Sequence, residues 1–157
     1  MVHRVPAALP IFCCLASAAT AQFVGPGLSW SGTSGNGARS FLPSCANLPV
    51  TAVLGETVTL TVWGDWMAPF ALFAAGSGSQ CLPIPGLGNA LVLDPPLLTV
   101  TFGVLTQLTP CLSCPPGLQS LQFTIPPGIP PGTSVAFQAA SLGGGNPAFT
   151  VAITGTI

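Results

Sequence analysis

Three carboxylates, four cysteines and two closely spaced tryptophans are the side chains of this 157-residue chain that could carry chemistry. Beyond residue 21 there is no His, Lys or Tyr, which removes the usual general bases and every Ser–His or Cys–His nucleophile. Glu56, Asp65 and Asp94 could in principle act as a carboxylate pair, as in glycoside hydrolysis, or offer oxygen ligands to calcium. Their settings argue for a humbler use. Glu56 follows Gly55 at a strand entrance, Asp65 sits in a Gly-Asp turn, and Asp94 precedes Pro95; solvated or turn-capping carboxylates are expected at such positions. Nothing follows a D-x-D-x-D-G pattern. The sequence therefore predicts no catalytic residue, no metal ligand and no cofactor site, and a protein that is not an enzyme.

The cysteines read differently. Cys45, Cys81, Cys111 and Cys114 follow an N-terminal export signal, and an even number in an exported chain predicts two disulfides. Three pairings satisfy that count. The expected one joins Cys45 to Cys81 and Cys111 to Cys114. In the chain-entropy picture a loop of about 36 residues contributes roughly 4 kcal/mol, the short one about 2 kcal/mol. Cys111-Leu-Ser-Cys114 has the spacing of a redox motif, but Pro115-Pro116-Gly117 follows it where a helix would have to begin. A zinc site would need a second paired motif, and Cys45 and Cys81 stand alone.

Trp63 and Trp66 lie in the apolar stretch "TVTLTVWGDWMAPFALF". By alternation Trp63 falls on the threonine side of its strand, and Trp66 comes just past a turn. Exposed indoles on a sheet can stack on sugar rings, so the pair is a candidate ligand platform. The simpler expectation is that both rings cover the end of the core or the N-terminal arm.

These residues need a scaffold, and its rhythm has a period of two. Val58-Thr-Leu60-Thr-Val62 places apolar and hydroxylated side chains on opposite faces. The device recurs in Leu98–Val104, Leu121–Ile125, Val135–Ala139 and Phe149–Ile153; Phe70–Ala75 and Ala90–Leu93 complete the set. Gly64-Asp65, Gly76-Ser-Gly78, Pro85–Asn89, Pro115–Gly117 and Gly143–Pro147 supply turn chemistry. The fold class that follows is all-β: an antiparallel β-sandwich of about seven to eight short strands, Ig-like in general architecture. The expected organisation is a signal peptide over 1–21, an irregular arm over 22–49 with one strand near Leu28–Ser31, and the sandwich over 50–157.

Composition sets the surroundings. The chain is 49% hydrophobic and 3% charged, so a disordered state is not expected. Without a basic patch the term that dominates nucleic-acid binding is missing. Met1–Arg4 forms a positive n-region, Val5–Ala18 an apolar stretch, and Ala19-Thr20-Ala21 a signal-peptidase site. No membrane span is expected after signal removal, since Asp94-Pro95-Pro96 breaks the longest later apolar run. The shortness of the strands and the absence of Tyr argue against an outer-membrane barrel.

From Val53 to Ile157 the layout resembles small secreted all-β domains abundant in planctomycete-type bacteria. The resemblance rests on Val53-Leu-Gly55-Glu-Thr-Val58-Thr-Leu60-Thr-Val62-Trp-Gly64. It rests also on Ile125-Pro-Pro-Gly-Ile-Pro130-Pro-Gly132-Thr-Ser-Val135-Ala-Phe137-Gln138-Ala139. It implies an exported β-sandwich and carries over no site residue. The functional expectation is a secreted or envelope-associated structural or interaction protein in the periplasm or at the cell surface, with cell-surface proteins or glycans as partners. The alternative is a carbohydrate-binding module using Trp63 and Trp66.

Overall fold

The computed structural model describes residues 25–41, 44–109 and 114–157; the expected signal peptide lies outside them. The described residues form strands only: β1 Gly27–Gly32, β2 Gly37–Ser40, β3 Asn47–Thr51, β4 Thr57–Gly64, β5 Pro69–Ala75, β6 Leu82–Pro83, β7 Ala90–Leu91, β8 Leu98–Val104, β9 Gln107–Leu108, β10 Gly117–Thr124, β11 Ser134–Gly143, β12 Asn146–Phe149 and β13 Ala152–Thr156. The first sheet has the order β2-β1-β4-β10-β9. The second has the order β3-β13-β11-β5-β8, with β12 also on β11, while β6 and β7 make a small ribbon. The two large sheets pack face to face as a sandwich, as the alternation predicts.

The core is what the period of two dictates. Leu28 and Trp30 of β1, Val58, Leu60 and Val62 of β4, and Leu121 and Phe123 of β10 point in from the first sheet. Phe70, Leu72 and Ala74 of β5, Phe137 and Ala139 of β11, and Ile153 of β13 meet them from the second. Trp30 packs against Phe123 and Phe137, and its six-membered ring lies over Gly155, where a Cβ would come within 2.6 Å of it.

Three expectations are corrected. The described residues between 25 and 49 are not an irregular arm: besides the expected strand near Leu28–Ser31, which is β1, they form β2 and β3, with β1 between β2 and β4 and β3 at one edge of the second sheet. The inward positions of β1 are Leu28 and Trp30. The expected antiparallel pairing holds in every strand ladder among the described residues but one, β3 with β13, which is parallel. The expected strand Phe149–Ile153 is split. Thr150 is fully buried, accepts Ala139 N–H through Oγ1 at 3.0 Å, and takes the chain out of the ladder between β12 and β13.

The third correction is β8, which faces the opposite way from the expected alternation. Phe102 stands opposite Ala71 and Val104 opposite Pro69, while Thr101 pairs with Leu72, which is buried in the core. Directly opposed residues share a face, so Thr101 points inward and Phe102 outward. The register then shifts between Leu72 and Phe73, leaving Val100 as the extra residue of a bulge. A strand at the sheet edge is held from one side only, and here pairing with β5 sets its facing rather than its own apolar rhythm.

Residues 76–97, between β5 and β8, fold back across the outer face of the second sheet. Val92 and Leu93 bury themselves there against Ala75, Ala136 and Ala152. The segment is fastened at several points. Gln138, fully buried on β11, accepts Val92 N–H at 2.9 Å and donates to the carbonyls of Ala90 and Thr150 at 2.8 Å each. Gly88 exchanges backbone hydrogen bonds with Pro147 and Phe149. Cys81 is joined to Cys45 with their Cα atoms 5.4 Å apart.

Candidate functional site

The three acids are anchors in three separate turns. Gly55, with φ 80°, closes the turn Val53–Glu56, a conformation suited to glycine. That turn brings the Glu56 carboxylate back onto Val53 N–H at 2.8 Å and across to the Ser34 hydroxyl at 2.6 Å and Ser34 N–H at 3.4 Å. Glu56 thus ties the β1–β2 loop to the entrance of β4. Asp65 accepts Gly144 N–H at 3.1 Å and Gly145 N–H at 2.7 Å, capping the β11–β12 turn. Asp94 accepts from the Ser77 hydroxyl at 2.6 Å and from Ser79 N–H at 3.2 Å. Among the described residues no group of His, Cys, Asp or Glu has the arrangement to hold a metal ion.

Burial pushes the Glu56 carboxyl up, but the hydrogen bonds from the Ser34 side chain and the backbone of Val53 and Ser34 outweigh it. The group is held below its ordinary value. A carboxylate depressed in the folded state stabilises above its unfolded pKa, and that contribution is lost as pH falls through the folded value. Glu56→Gln keeps the shape but turns an amide toward donors. It is expected to cost about 1–3 kcal/mol at neutral pH, and the difference from the parent should shrink on acidification. Urea denaturation at neutral and acid pH checks this; an equal difference at both would refute the assignment. Asp94 is likewise held low, chiefly by the Ser77 hydroxyl against the opposing effect of burial, with further help from Ser79.

The tryptophans occupy unlike settings. Trp63 is half-buried on the outer face of the first sheet. Its indole N–H donates to Ser29 Oγ at 3.3 Å, and Phe41 packs edge-on at 5.6 Å. Both partners come from the segment expected to be the arm. Trp66 is 55% exposed at the β4–β5 turn, beside an equally exposed Met67. A shallow depression of about 380 Å³ lies beside Trp63, lined by Ser29, Ser31 and Arg39. Much of the adjoining face is already engaged internally, with Thr61 bonded to Ser120 at 2.9 Å and Gln122 to Thr59 at 3.3 Å.

Of the expected disulfides, Cys45–Cys81 is present. Cys114 is buried and disulfide-bonded, while Cys111 lies outside the described residues. A disulfide is consistent with an extracytoplasmic location. No helix among the described residues is long and apolar enough to cross a membrane.

The most conspicuous surface feature is an apolar sheet edge. β8 ends its sheet, and four of its apolar residues are exposed: Leu98 (67%), Val100 (37%), Phe102 (78%) and Val104 (41%). In the first sheet β9 covers only Gly117 and Leu118 of β10, and among the described residues no other strand pairs with the free side of β10. A slot of about 80 Å³ lined by Thr101, Leu72, Gln119 and Leu121 runs between these two strands. Among the described residues, one side of the sandwich is therefore open in both layers. A clue was present in the sequence: β8 reads LTVTFGV, with none of the charges or prolines that usually protect an edge.

No protein-family model matches this sequence, and no curated protein or solved structure is significantly similar to it.

Proposed function

We propose that the protein is a secreted or envelope-associated interaction module that docks through the open side of its sandwich. The observation that carries this reading is β8, a seven-residue edge strand with exposed apolar side chains and no charge. Unpaired backbone groups on such a strand form a template for another strand, and solvent-exposed apolar patches mark association sites. The Cys45–Cys81 disulfide supports an oxidising compartment, as does the resemblance to small secreted bacterial domains. The low charge of the chain adds to it, since little electrostatic repulsion opposes attachment to a larger assembly.

Cell fractionation tests this reading. The protein should be retained with the envelope or a surface assembly, and Phe102→Lys should release it. Recovery of the parent solely as a free monomer in culture fluid would end the proposal. A second reading, glycan binding, is favoured by the depression beside Trp63 and by the exposed indole of Trp66. On a glycan array it requires binding that Trp66→Ala or Trp63→Ala weakens at least tenfold.

A further inference from the structure

We propose that the strand completing the second sheet is β8 of a second copy, paired antiparallel across a two-fold axis at Phe102. This rests on the reading above and names the partner. The bulge at Val100 leaves residues 101–104 as the regular part of the edge; an axis at Phe102 centres the seam on Thr101–Gly103 within it and brings Val100, at its boundary, to Val104. Phe102 then faces Phe102 of the second copy, Thr101 faces Gly103, and Val100 faces Val104. The most exposed apolar side chain of the edge thus gains an aromatic cross-strand partner, and each exposed valine gains the other.

Three observations favour a second copy over an unrelated strand. First, β8 alternates between apolar residues and small or hydroxylated ones, so reversing it preserves the pattern: apolar side chains still meet apolar ones on the same face. A closed two-fold interface needs that self-complementarity. Second, the charged side chains among the described residues are Arg39 on β2, Glu56 before β4, Asp65 after it and Asp94 in the segment between β5 and β8. None lies on β8 or β10, so two copies can approach along this side without like charges meeting. Third, among the described residues the first sheet is open on the same side along most of β10, with the slot beside Thr101 between the layers. A copy seated on β8 would also cover that slot and join two edges, not one.

The seam is short compared with the roughly 1,200–2,000 Å² of stable complexes, so the dimer is expected to be weak, forming at concentrations on the order of 100 µM. Sedimentation velocity of the exported protein over a concentration series should show conversion from monomer to dimer mass. Phe102→Lys and Phe102→Glu each place like charges opposite one another and should each be monomeric at every concentration. An equimolar mixture of the two should dimerise again, which a misfolded variant could not do. Unchanged circular dichroism of each variant completes the control.

A parent that stays monomeric at several hundred micromolar would overturn the proposal. So would a Phe102→Lys variant that still dimerises, or a mixture that fails to recover. Fractionation separates this from the broader reading. If the parent is monomeric yet Phe102→Lys still releases it from the envelope, docking stands and self-pairing falls. If neither dimer nor retention is found, both fall.

Discussion

Replacing Cys45 and Cys81 together by serine is expected to lower the unfolding free energy by about 4 kcal/mol, the largest effect of any change that leaves the core untouched. The two cysteines are 36 residues apart in sequence, so the bond removes a long loop from the freedom of the unfolded chain. It also links the segment before β3 to the segment that crosses the outer face of the second sheet. Equilibrium urea denaturation measures the loss, and the denaturant dependence should steepen because the unlinked chain exposes more surface. Adding reductant to the parent should move it toward the variant. A loss below about 1 kcal/mol would mean that the long loop is already restrained in the unfolded state.

Gln138→Leu is expected to cost about 3 kcal/mol despite exchanging one buried side chain for another of similar size. Val92 N–H loses its acceptor, and the carbonyls of Ala90 and Thr150 each lose a donor, in a place closed to water. An unsatisfied buried polar group costs on the order of 1–3 kcal/mol. Asn89 also donates to Thr150 O at 3.3 Å, which softens one of the three losses. Hydrogen exchange should localise the damage: amides of residues 76–97 should exchange much faster, those of β4 and β10 little changed. Uniform loss of protection would show that the segment and the sandwich unfold as one unit. Full stability would refute the role given to Gln138.

The parts of the fold legible in the sequence are those where local pattern and tertiary burial agree. Val58, Leu60 and Val62 alternate with threonines, and β4 lies between β1 and β10 with that apolar face in the core. The even cysteine count made disulfides legible but left three pairings open, and Cys45–Cys81 is among the expected pairs. β8 misled because it carries the same alternation, while its facing is decided by hydrogen bonds to β5 and a bulge that no local pattern announces. The strand expected near Leu28–Ser31 is β1, whereas β2 is obscured by Gly and Ser, poor strand formers in isolation, and gains its order from pairing with β1.

The candidate site shows the same division. Turn roles for Glu56, Asp65 and Asp94 follow from their Gly and Pro neighbours, and each acid does hold a turn or loop. Gln138 gave no signal, since a glutamine in an alternating run reads as solvent-facing. It became a buried fastener only because residues 90–93 were laid over it. The exposed edge was hidden for a related reason: an apolar strand looks like core until its neighbours are known.

The place of β13 constrains how the molecule can be made. It lies between β3 and β11, paired parallel to one and antiparallel to the other. During vectorial synthesis β3 emerges early and must wait about 100 residues for its neighbour. Any nascent prefix lacking residues 152–156 leaves a gap in the middle of a layer, with Ile153 missing from the interior. Closure of the second sheet is therefore a late event, and a holding chaperone able to shield β3 and β11 would be most useful in that interval.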